Sequence, residues 1–350
     1  MIKYLLSLCF SVGFSVAPVC AQNYSHDLAK TSVWLEGQQL PDGAILYSAK
    51  EINPYFANLA AIGWLQDRSK IPQVEAWMHW YIDHLNWPDY NHLYGTVYNY
   101  AYNNGVETST SSYDSADSSA ATFLTLAEAL YNTGDFGAQW FVRNGLGEYI
   151  LNVTGDIITG LQQSNGLVVA RPDYQIEYLM DNSEDYRGLE DLANLAIQAW
   201  NDAGTASWYQ AHASSVRYGI QGVLYVSATK LYYPYAGSPV PNMSTFYPDA
   251  VSQLYPAVQG VVAGSTQQAK SSYVAFTRAW PGWTNLSFNS QTPFPWAIVS
   301  YAAYLEGDRS SVNRYITTIQ REYVNVTPDF PWPFYCAEGG WFIRVNARLE

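Results

Sequence analysis

From Asn53 to Val324 apolar residues recur at helical spacing, in paired segments. The first member of each pair is rich in Ala and Leu and carries few charges: INPYFANLAAIGWL, SADSSAATFLTLAEAL, YRGLEDLANLAIQAW, YPDAVSQLYPAVQGVV and PFPWAIVSYAAYL. The second is more amphipathic: PQVEAWMHWYIDHL, GAQWFVRNGLGEYIL, SWYQAHASSVRYGIQGVL, QQAKSSYVAFTRAW and SVNRYITTIQREYV. Gly, Asn and Asp in the short turns QDRSK, NTGDF, NDAGTA, AGSTQ and EGDRS end one helix and cap the next. A helix apolar nearly all round is buried on every side, and one with a polar face lies outside. The pattern therefore predicts an inner ring and an outer ring. Inner helices are expected to start at Asn53, Ser115, Tyr186, Tyr247 and Pro293, a repeat of roughly 45 to 70 residues. A helix over residues 27–39 and the C-terminal GGWFIRVNARL supply a sixth pair.

Connections from outer back to inner helices are long, and Ser164-Asn165-Gly166 in one of them predicts a hairpin turn between short strands. Long loops that are not low-complexity usually carry function. All lead into inner-helix N-termini, so they gather on one face. The pattern, over nearly the whole chain, resembles the (α/α)6 toroid of the six-hairpin glycosidase superfamily. It implies an all-α single domain spanning residues 22–350, with short β-hairpins in the loops on one face.

The acids nearest the inner starts are Glu51, Asp114, Asp117, Asp181, Glu184, Asp185 and Asp249, with Glu338 approaching from the C-terminal segment. A single acid at such a position is accounted for by capping and the helix dipole. YDSAD and MDNSED each supply more than one, and each ends a long Tyr-rich loop. Glycosidic bond cleavage needs this equipment: one carboxylic acid protonates the leaving oxygen, and a second carboxylate activates water or attacks carbon. SAKEINPYFANLAAIGW followed by YDSADSSAATFLTL looks like a family-eight glycoside hydrolase. That resemblance implies Glu51 as general acid, Asp114 and Asp117 as sugar-binding residues at the point of cleavage, and a later Asp, here Asp181, as base. Tyr113, Tyr94, Trp87, Trp283 and Trp296 are expected as sugar platforms or as rim packing, and Asn53 and Glu338 as further substrate contacts.

Composition narrows the alternatives. With 17 Lys+Arg against 30 Asp+Glu, the net charge of −13 argues against a nucleic-acid partner, whose phosphates need a basic face. Lys3, an apolar run over residues 5–16 and Val19-Cys20-Ala21 read as a cleaved signal peptide over residues 1–21, so a secreted or periplasmic protein is expected. No later stretch predicts a membrane span, and a monomer is expected. Cys336 is then the sole cysteine, without a disulfide partner. The histidines form no metal-binding pattern, so neither metal nor cofactor is expected. A polysaccharide lyase would find its Tyr here but lack the basic residues that neutralise a uronate. A non-catalytic carbohydrate-binding protein would keep the aromatics but would not need paired acids.

Overall fold

The computed structural model describes residues 23–350; the expected leader lies outside them. In chain order the helices are α1 (Tyr24–Glu36), α2 (Pro54–Trp64), α3 (Ile71–Asp83), α4 (Ala116–Tyr131), α5 (Phe136–Arg143), α6 (Gly145–Leu161) and α7 (Leu179–Gln198). They continue with α8 (Ala203–Gly219), α9 (Tyr255–Val258), α10 (Gln267–Ala279), α11 (Ala297–Leu305), α12 (Arg309–Ile319) and α13 (Cys336–Ala347). Among the described residues α2, α4, α7, α9, α11 and α13 each pack on the next, and α13 packs on α2, which closes a ring. The remaining helices lie outside it, and α1 covers α13, so the two ends of the chain build one hairpin. The expected all-α toroid is present.

Small residues let the ring close. A Cβ on Gly63 of α2 would stand 2.1 Å from the carbonyl oxygen of Gly340, and one on Gly340 of α13 would stand 2.3 Å from that of Leu59. Backbone therefore touches backbone at this seam. Between rings, the buried Asn58 accepts from Trp77 Nε1 (3.0 Å) and donates to Thr122 Oγ1 (3.1 Å), joining α3, α2 and α4. Tyr81 of α3 stacks on Phe123 of α4 at 4.0 Å.

Three local expectations are corrected. The third inner helix begins at Leu179, not Tyr186, which moves Asp181, Glu184 and Asp185 from a loop into its first turns. The fourth inner element is broken: Tyr247 is extended (φ −116°, ψ 130°), a short helical stretch follows to residue 252, and after a turn α9 begins at Tyr255. Pro248 and Pro256 interrupt it by removing backbone donors. The outer partner of α4 is two helices, not one, and α6 runs on past GEYIL through GDIITGL with Gly155 inside it. A Cβ there would meet Leu192 at 2.5 Å and Tyr209 at 2.9 Å, so this glycine serves close packing.

Strands β1 (Glu51–Ile52), β2 (Tyr100–Asn103) and β3 (Val106–Ser109) pair antiparallel in that order; β4 (Tyr225–Val226) pairs with β5 (Leu231–Tyr232). The β2–β3 turn has positive φ at Asn104 (52°) and Gly105 (82°), as a type I′ hairpin requires. The turn at Ser164-Asn165-Gly166 is closed by a single bridge, Gln162 to Val168. No helix among the described residues is long and apolar enough to cross a membrane.

Gly340→Ala should destabilise the protein by about 1–3 kcal/mol, because the neighbour it strikes is backbone that cannot rotate away. Gly160→Ala, which meets nothing within 4 Å, should be neutral or stabilise by up to about 1 kcal/mol. Urea unfolding of the two variants checks the contrast.

Candidate active site

All six inner elements contribute to one cavity of about 410 Å³ at their N-terminal ends. Asn53, Tyr55 and Phe56 come from α2, Asp114, Ser115, Ser118 and Ser119 from the start of α4, and Met180 and Asp181 from α7. Tyr247 and Tyr255, the segment Gln291–Phe294 with Trp296, and Tyr335 to Trp341 complete the wall. Of the expected site residues, Asn53, Asp114, Asp181, Trp296 and Glu338 line it together.

Asp181 and Glu338 stand on α7 and α13, helices three places apart in a ring of six, and so face each other across the mouth. Glu338 Oε1 accepts from the N–H of Trp296 (3.0 Å) and Oε2 from that of Ala297 (2.6 Å). The acid thus caps α11 from a different helix. Trp296, the N-cap, sits in the left-handed region (φ 54°, ψ 56°), uncommon for a bulky residue, and its indole N–H donates to Thr292 Oγ1 at 2.9 Å. Burial pushes Glu338 up to about 7, against the pull of its two N–H donors.

Asp181 belongs to a carboxylate chain. Ser115 Oγ contacts Asp117 Oδ1 closely and Asp181 Oδ2 at 3.1 Å. A hydroxyl has one proton, so it cannot serve both. With Asp117 the closer acceptor, the contact to Asp181 is satisfied when Asp181 itself carries a proton. Burial, then the charge of Asp117, raises Asp181 well above the usual carboxylate range. Asp117 also accepts from the N–H of Ser118 (2.7 Å) and is pushed up to about 6 by burial. Beneath it the fully buried Asp185 is raised well above that range by burial and by the charges of Asp117, Asp181 and Glu184. Glu184, raised likewise by burial, accepts from the Tyr55 hydroxyl at 2.8 Å.

The other expected residues lie elsewhere. Glu51 is not among the cavity residues; it stands in strand β1, half-buried, next to the buried Ile52. Asp117 is sealed below the cavity floor and reaches it only through Ser115. Tyr113 is buried in the loop layer, where its hydroxyl donates to Asp89 Oδ2 at 2.7 Å. Trp283 is buried against Tyr315. Trp87 and Tyr94 are exposed and pack with each other, Trp87 also stacking on Tyr149. Sequence reading missed Tyr55, Tyr247, Tyr255, Phe294 and Tyr335. The usable signal was an aromatic within the first residues of each inner segment, as in NPYF, PFPW and PFYC. Among the described residues no group of three or more His, Cys, Asp or Glu is arranged to hold a metal ion. Cys336 is free and buried.

No family model matches the chain, and no curated protein sequence does. Solved structures do match. One described as a wild-type glycosidase is 12% identical, with 92% of this chain and 98% of that chain covered and a TM-score of 0.65. A GH63 mannosylglycerate hydrolase from Thermus thermophilus, solved with glucose, is 11% identical over 91% of this chain and 98% of its own, with a TM-score of 0.60. A novel alpha-amylase from Clostridium perfringens is 9% identical over 93% and 98%, with a TM-score of 0.60. These likenesses establish the fold.

Burial makes these acids bind protons more tightly in the folded chain than in the unfolded one. The resulting stability is complete below the unfolded value near 4. It is lost as pH rises through the folded values, about 6 for Asp117 and about 7 for Glu338. Unfolding free energy measured in urea should therefore fall between pH 5 and pH 8. Asp185→Asn, which removes one of the buried titrating carboxyls beside Asp117, should flatten that fall; an unchanged slope would remove the buried cluster as its cause.

Proposed function

We propose that the protein is an exported glycoside hydrolase acting on a neutral glycan, with Asp181 as general acid and Glu338 as general base. The observation that carries this reading is a pair of carboxyl groups on opposite walls of one aromatic-lined cavity. Asp181 holds a proton because burial and Asp117 disfavour its charge. Glu338, fixed by two backbone N–H groups, keeps a further lone pair on each oxygen for a water. Solved proteins of this fold described as glycosidases, one of them holding glucose, support the same chemistry. The proposal moves the acid role from Glu51, where the family-eight resemblance put it, to Asp181. Asp114 and Asn53 would bind sugar hydroxyls, and Tyr55, Trp296 and Tyr335 would pack on the ring.

Opposed walls leave room for a water between base and sugar, so the reaction should invert the anomeric centre. A pocket walled by all six inner elements suits a chain end or a short oligosaccharide better than the middle of a long polymer. No arginine, lysine or histidine lines the cavity, which counts against a lyase acting on uronates.

Screening on a glycan panel, followed by NMR of the first-formed product, tests the reading. Asp181→Asn and Glu338→Gln should each lower kcat by about 10²–10⁴-fold, while Glu51→Gln should stay near wild type. Loss of activity in Glu51→Gln alone would restore the other assignment. Activity should rise as pH climbs through about 7, where Glu338 gives up its proton. It should fall at higher pH, when Asp181 ionises; a profile lacking the acidic limb would exclude Glu338 as base.

A further inference from the structure

A second cavity, about 230 Å³, opens at the opposite end of the ring, where the inner helices finish. That is below the roughly 300–1,000 Å³ of drug-sized ligand sites and suits a small ion with its waters. Its lining has a different character from the mouth. Arg187 enters from α7, Arg344 and Arg348 come from α13 and the residue after it, and Tyr301 faces them from α11. A chain with 17 Lys+Arg against 30 acids thus gathers three arginines around one small space.

Arg187 is already engaged by Asp191 (2.5 Å) and, more distantly, by Glu128 (3.8 Å). No carboxylate of the described residues lies within 4.0 Å of Arg344 or Arg348. Arg344 instead lies over the rings of Trp341 (4.0 Å) and Tyr301 (4.7 Å). Those contacts fix the plane of its guanidinium and leave its donor edges free of a counter-charge. Burial would push the Tyr301 phenol up, yet Arg344 and Arg348 hold it below its ordinary value. Burial, together with the charges of Arg187 and Arg348, pushes Arg344 down. Glu128 and Glu184 line the cavity too, but Glu128 faces Arg187 and burial favours the protonated form of Glu184, so the charges left without a counter-ion are those of Arg344 and Arg348. Planar guanidinium forks are matched by oxyanions, which accept two parallel N–H bonds.

We propose that this cavity binds a compact oxyanion of the phosphate or sulfate class, held chiefly by Arg344 and Arg348. Leu59 lines both cavities and lies between them, so the oxyanion and a glycan would be bound at the same time. The inference does not depend on the glycosidase reading.

Calorimetric titration with inorganic phosphate, at fixed ionic strength kept with sodium chloride, tests it. Wild type should show saturable binding, sulfate should compete, and acetate should compete far less. Arg344→Gln and Arg348→Gln should each weaken phosphate by about tenfold or more. Asp181→Asn, at the mouth, should bind as wild type does. Arg348 is exposed, so Arg348→Gln should melt at the wild-type temperature without phosphate, and its loss of binding reports the site and not the fold. Absence of saturable binding in wild type, or equal affinity in wild type and both arginine variants, would overturn the proposal.

Discussion

Backbone meets backbone where α2 and α13 cross at Gly63 and Gly340, and the rest of the molecule depends on that contact. Any side chain there would hold the first and last inner helices apart. A ring that failed to close would leave its apolar helices with a face in water, and α1 would have no inner partner to cover. Closure also fixes direction: the inner elements run the same way, so six N-termini meet at one mouth and the C-terminal ends meet at the other.

The distribution of charge follows from that direction. Helix N-termini favour negative groups and C-termini favour positive ones. Asp114, Asp117, Asp181 and Glu338 stand at the first end; Arg344 and Arg348, at the end of α13, stand at the second, where Glu128 in the last turn of α4 is the exception and faces Arg187. Local dipoles do not make the acids comfortable, however. Asp117, Asp181, Glu184 and Asp185 are packed where water cannot solvate them, so burial holds protons on them. Evolution has a ready use for an acid kept protonated beside a cavity, and Ser115 is the group that joins the hidden part of the cluster to the exposed part.

Much of the fold could be read along the chain, because inner and outer helices differ in a local property, the presence or absence of a polar face. Asn53 and Ser115 were identified as helix starts, and both are N-caps. The reading slipped where local signals had two meanings. The second outer segment reads as ending at GEYIL, yet α6 runs on to Leu161, with Gly155 inside it packed against Leu192 and Tyr209. MDNSED looked like loop because it is polar, yet it forms the first turns of α7, its acids being neutralised by burial and neighbours. Asn104-Gly105, which joins β2 and β3, is a hairpin signal left unread.

What the sequence by itself determined is the repeat, the two classes of helix and the short group of acids near the inner starts, since each is written within a few consecutive residues. Only the tertiary structure decided which acids share a cavity. Glu51 and Asn53 are two residues apart, yet Glu51 stands in β1 outside the cavity lining while Asn53, the N-cap of α2, lines the wall. Asp181 and Glu338 are far apart in sequence, and ring closure sets them face to face. Proximity of that kind, like the protonation it imposes, is a property of how helices pack and how much water they exclude, which no single stretch of chain encodes.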